Sequence, residues 1–138
     1  MGAITGLVSF FLDKIVEYLR LMGKSFEATA GGIKVREKAD DRELEVIIVP
    51  SEKWIRILVR LDRLEGIPEE KRAELLCELM RANSDYPEIS FGVDDEGYIV
   101  SLEDQYVYAL YFDVFEEEYA AVVASIDIYE KIKRKVLG

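Results

Sequence analysis

Chemistry needs groups of the right kind at the right spacing, and few stretches of these 138 residues offer candidates. Asp94-Asp95-Glu96-Gly97 is the densest acidic run. A calcium loop of the EF-hand kind needs alternating oxygen ligands and a distant glutamate, and that spacing is absent. The run has the composition of a tight turn between strands. Glu116, Glu117 and Glu118 fan over different faces of a helix start and do not converge on one metal. Gly31-Gly32 is too short to cradle a phosphate and lacks the lysine and following helix of a P-loop. The chain has no histidine, which removes the commonest general base, the Ser-His-Asp and Cys-His arrangements and most zinc sites. Its one cysteine, Cys77, excludes an intramolecular disulfide and any CxxC motif, and its place on an apolar helical arc marks it as a core thiol. Paired carboxylates could do acid–base work, but nothing in the sequence selects a pair. The residues assign no catalytic, cofactor-binding or metal-binding role.

The elements that would position any site are clearer. Pro68 opens a helix to Asn83, with Glu69 and Glu70 placed favourably against its positive end. Ala73, Leu75, Leu76, Cys77, Leu79, Met80 and Ala82 give it an apolar arc roughly 220° wide, where one buried face needs only about 100°. A second covering surface follows, either another helix or a partner subunit, and Ala73, Leu76, Cys77 and Met80 are the expected dimer contact.

Ile4–Met22 has the periodicity of an amphipathic helix, with Phe10 and Leu21 at the edge of its polar side. Gly23 suits its C-terminus. Phe26–Lys38 alternates as a hairpin, for which Gly31-Gly32 supplies positive φ angles. After a turn at 39–42, Glu43–Val49 and Lys53–Leu61 form two more strands. In the latter Ile55, Ile57, Val59 and Leu61 face one way, while Trp54 and Leu58 share the other face with Arg56 and Arg60. Residues 62–67 lead into the Pro68–Asn83 helix. Ile89–Val93 and Tyr98–Leu102 pair across the acidic turn. Tyr106–Phe112 is a strand or an extended link, its tyrosines at 106 and 108 assigned to core or edge packing. Asp113 and Glu116 have capping-box spacing for a helix over Val114–Leu137.

Hairpins give an antiparallel sheet, and helices segregated from strands give an α+β fold, in the order α-β-β-β-β-α-β-β-α. Size and the absence of any linker make residues 1–138 a single domain. No stretch approaches the ~20 apolar residues of a membrane span. Leu7–Leu12 is too short and lacks a preceding basic residue for a signal peptide, so the expectation is a soluble cytoplasmic protein with no membrane role. The first 68 residues balance in charge, and the whole net charge of −10 falls on residues 69–138. This balance disfavours nucleic-acid binding through a basic face, and no nucleic-acid partner is expected. The acidic half either keeps the protein soluble or steers basic partners.

This order of elements resembles the type III secretion chaperone-like fold. The matching features are the amphipathic first helix, the hairpins through Leu61, the helix ending LLCELMRAN and the pair ISFGVDDEGYIVSL. The leucine-rich helix ending in Asn, followed by Phe91, Asp94 and Gly97 in a Phe-x-x-Asp-x-x-Gly pattern, is similar to YbjN-like proteins. The tyrosine-rich YVYALYF departs from the usual link before the last helix. The resemblance implies a non-enzymatic protein-binding module, a homodimer that holds polypeptide segments of a partner. The alternative it implies is a regulatory or sensory module acting by protein contacts, and a carboxylate or metal enzyme is a third reading. Phe10, Leu21, Trp54 and Leu58, apolar residues on otherwise polar faces, are the expected partner-binding residues.

Overall fold

The computed structural model describes residues 6–39 and 41–138. The predicted helix start at Ile4 and turn residue Asp40 lie outside them. Eleven segments follow in order: α1 (Gly6–Leu21), β1 (Phe26–Thr29), β2 (Gly32–Ala39), β3 (Arg42–Pro50), β4 (Trp54–Arg63), a 3-10 turn (Leu64–Gly66), α2 (Glu69–Asp85), β5 (Phe91–Val93), β6 (Tyr98–Tyr106), a second 3-10 turn (Val107–Ala109) and α3 (Phe112–Leu137). The six strands make one antiparallel sheet in the order β1-β2-β3-β4-β6-β5. The α+β expectation holds; β5 is shorter than expected, starting at Phe91, and β6 runs past the expected Leu102 to Tyr106.

The period-two pattern decides which face the helices cover. Ile33, Val35, Val46, Ile48, Ile55, Ile57, Val59 and Ile99 are buried on one face. Against them α1 lays Phe11, Ile15 and Leu19, one helical turn apart; α2 lays Leu75, Leu79 and Ala82; and α3 lays Phe115, Tyr119, Val122, Ile126 and Tyr129. These residues form one continuous apolar core. The opposite face carries Lys34, Arg36, Ile47, Trp54, Arg56, Leu58, Leu102 and Tyr106, all exposed or half-buried.

Two buried tyrosines fasten α3 to the sheet. Tyr119 donates to Glu37 of β2, and Tyr129 donates to Asp62 at 2.6 Å, with Lys133 joining Asp62 at 2.9 Å. A bulge in β4 between Arg60 and Asp62 makes this possible: the register shift turns Leu61 and Asp62 both toward the helices. Burial first, then the neighbouring carboxylate, pushes both phenols above the ordinary tyrosine value.

Four local expectations are corrected. Neither Gly31 nor Gly32 has positive φ. The hairpin turns at Ala30-Gly31, and Gly32 is needed because a Cβ there would stand 2.3 Å from the Ile48 carbonyl oxygen. Tyr106 ends β6, and the 3-10 turn over Val107–Ala109 replaces a continuous strand or link. Asp113 does not cap α3, which starts at Phe112 with no side-chain cap, so Asp113 serves only as an acidic residue in the first turn. Cys77 is exposed and not in the core.

Candidate protein-binding surfaces

Two of the predicted partner-binding residues meet in one row of rings. Trp54 opens β4 and pairs across the sheet with Tyr106, the last residue of β6, their ring centres 5.7 Å apart. The 3-10 turn brings Tyr108 to 5.3 Å from Tyr106, and Tyr108 reaches Phe11 of α1 at 6.3 Å. Phe11 touches Phe10 at 5.7 Å. Four of the five rings are open to solvent: Phe10 by 54%, Trp54 by 45%, Tyr106 by 41% and Tyr108 by 63%. Only Phe11 is buried, tying the row to the core. Lys14 lies over Phe10 and Lys53 over Trp54, one cation at each end of the row. The two tyrosines assigned to core or edge packing are thus surface residues. Tyr106 is exposed because it lies on the open face at the end of β6, and Tyr108 because the 3-10 turn carries it outward, which alternation alone does not predict.

Leu58 lies on the same open face of β4 as Trp54, separated from it by Arg56. It is half-buried between Ile47 of β3 and Leu102 of β6. Arg56 grips Asp104 with two hydrogen bonds at 2.7 and 2.8 Å. Leu21, 67% exposed, stands at the far end of α1, roughly 16 Å along the helix axis from Phe10. It shares no contact with the row.

The second surface is the outer side of α2. With Leu75, Leu79 and Ala82 turned inward, Ala73, Cys77 and Met80 are exposed and Leu76 is half-buried. Met80 is 72% exposed. Leu76, Met80, Asn83, Gly92 and Val93 border a groove of about 360 Å³ between α2 and β5. β5 is the outermost strand on this side. Asn83, Phe91, Asp94 and Gly97 do structural work here. Asn83 pairs with the Phe91 backbone, donating to its carbonyl at 3.0 Å and accepting its N–H at 2.7 Å. Asp94 accepts from the N–H groups of Glu96 and Tyr98, and Gly97 takes φ +86° to close the turn. The Tyr98 N–H, above all, and then the Glu96 N–H and Arg60, hold the Asp94 carboxyl below its usual value.

One acidic cluster was not visible in the sequence. Glu88 in the turn after α2, Glu103 of β6 and Glu118 of α3 bring carboxylate oxygens within 4.8 Å of one another. Glu88 sits at φ +64°, the one non-glycine residue with positive φ among those described. Burial, then Glu88, raises the Glu103 carboxyl. Burial first, followed by hydrogen bonding and repulsion from Glu88 and Glu103, raises Glu118 to about 7. Three oxygens so placed could ligate a hard cation; crowded carboxylates equally share a proton near neutral pH. Of the run Glu116–Glu118 only Glu118 is turned inward, and its partners come from distant segments with no common spacing. No helix among the described residues is long and apolar enough to cross a membrane.

No family model matches the chain, and no curated protein matches it. Solved structures do. The ExsC–ExsE complex matches with a TM-score of 0.66 at 14% identity, covering 92% of this chain and 96% of that one. The Yersinia pestis type III secretion chaperone SycH, in complex with a stable fragment of YscM2, matches with a TM-score of 0.56 at 17% identity over 88% and 98% of the two chains. The HopA1–SchA chaperone–effector complex matches at 0.60 and 13% identity over 89% and 92%. At these identities the likeness is one of fold: the chain has the type III secretion chaperone-like architecture.

Proposed function

We propose that this protein is a non-enzymatic binding module, a homodimer that holds a polypeptide segment of a partner. The observation that carries the reading is the row of rings Phe10, Phe11, Tyr108, Tyr106 and Trp54, running across α1, the 3-10 turn and two strands, with all but Phe11 open to solvent. Exposed aromatics in a contiguous row are what binding surfaces are enriched in. The chaperone SycH bound to a fragment of YscM2 and the HopA1–SchA chaperone–effector complex share this architecture, which supports the reading. Leu58 extends the surface along the open sheet face, and Leu21 offers a separate contact at the other end of α1.

The dimer contact is the outer face of α2, through Ala73, Leu76, Cys77 and Met80. Burying Met80 and Leu76 there would remove apolar surface at roughly 25 cal/mol per Å², and the groove beside β5 gives that face relief into which a side chain can seat. Light scattering at micromolar concentration is expected to report about twice the chain mass of 15.8 kDa. A single-chain mass would remove the dimer from the account. For the partner, a peptide array probed with the natural protein and with W54A/Y106A is expected to show segments retained by the first and lost by the second. Retention of the same segments by both would remove the aromatic row.

A further inference from the structure

We propose that the Asn83 side chain guards the β5 edge of the sheet, closing it to the addition of a strand from another chain. The inference stands on backbone geometry and does not depend on the dimer reading. Antiparallel strands turn the N–H and C=O of alternate residues toward the same neighbour. The Ser90 carbonyl accepts from Leu102, and Asp94 donates to the Tyr98 carbonyl, so residues 90, 92 and 94 face β6. Phe91 and Val93 therefore turn their backbone groups to the outer edge, where no strand follows. An unpaired edge of this kind is a template for association. At Phe91 the template is already occupied: one primary amide fills both hydrogen-bonding positions, at 3.0 and 2.7 Å, as a peptide group of a seventh strand would. Only Val93 is left, and a single outward residue offers two bonds where a docked strand needs a run of them. Asn suits the task because it alone among short side chains carries a donor and an acceptor in one plane. The consequence is that whatever sits on this face of the molecule must bind through side chains, not by extending the sheet.

The test uses three variants, each checked by circular dichroism and sized by light scattering over a range of concentrations. Asn83→Ala is expected to speed hydrogen exchange of the Phe91 amide by about tenfold or more and to produce species larger than the natural protein. Adding Val93→Pro removes the remaining outward N–H, a change edge strands tolerate, and is expected to return the mass to the natural value. V93P alone is expected to leave the natural mass unchanged. The proposal is overturned if folded N83A keeps the natural mass at every concentration, or if its association survives V93P, which would trace it to apolar side chains. If N83A does not fold, the V93P variant decides alone: an unchanged mass supports the guard, and a fall in mass shows that the edge is already in use. The dimer reading fails separately, through Met80→Glu leaving the natural mass intact.

Discussion

Replacing Glu118 by glutamine is expected to stabilise the protein, but only above a certain pH. Folding lifts this carboxyl from 4.5 to about 7, because burial and the nearby Glu88 and Glu103 oppose its charge. Between those values the folded chain holds more protons than the unfolded one. Stability from this group is therefore complete below pH 4.5 and is lost as pH rises through about 7. Expressed in full, such a displacement is worth ~3 kcal/mol. Glu118 is half-buried and shares its proton with two neighbours, so solvent screening cuts the expected loss to about 1–2 kcal/mol. Glutamine keeps the shape, supplies a donor to the remaining carboxylates and cannot ionise. Urea unfolding followed by circular dichroism is the assay. Near pH 4.5 the two proteins are expected to unfold together; at about pH 8, E118Q is expected to be more stable by about 1–2 kcal/mol, a few degrees in melting temperature. Parallel curves at the two pH values, or a variant weaker at high pH, would refute the reasoning. A melting temperature of the natural protein that rises with calcium or magnesium at pH 8, while that of E118Q does not, would instead show that the three carboxylates share a cation.

Met80→Glu is expected to keep the circular dichroism of the folded chain, since the side chain is mostly exposed on the single chain, while light scattering shows the mass halved. Gly32→Ala is expected to destabilise by about 2 kcal/mol or more in denaturant unfolding, because its Cβ would stand 2.3 Å from the Ile48 carbonyl oxygen in a paired strand. Tyr129→Phe deletes the bond to Asp62 but leaves Lys133 beside that carboxylate, so the expected cost is about 1–2 kcal/mol, and less than that of Leu75→Ala at about 2–5 kcal/mol.

Periodicity made the elements legible. Alternation in β2, β3 and β4 placed Ile33, Val46 and Ile57 on one face, and the repeat of Phe11, Ile15 and Leu19 oriented α1. It could not say which part of a wide arc is covered. On α2 the buried residues are Leu75, Leu79 and Ala82, and Cys77, one helical turn from Ala73, falls outside that sector. Nor could it see contacts made across the chain. Glu88, Glu103 and Glu118 meet only because β6 runs between the α2–β5 turn and α3. Trp54 meets Tyr106 only through the β4–β6 register, which α2 separates in sequence. The turn glycines misled for a different reason: Gly32 is there to let a neighbouring strand approach, and sequence shows a glycine without showing its cause. The Asn83, Phe91, Asp94 and Gly97 pattern was legible as a motif before its purpose was. It fixes the β5 edge and the turn beyond it.

Recovery of bound polypeptides from the native source tests the binding account most directly, with the natural chain and a folded W54A/Y106A variant as baits, compared by mass spectrometry. The account predicts a polypeptide held by the natural chain and released when the row of rings is cut. Identical recoveries from both baits would contradict it.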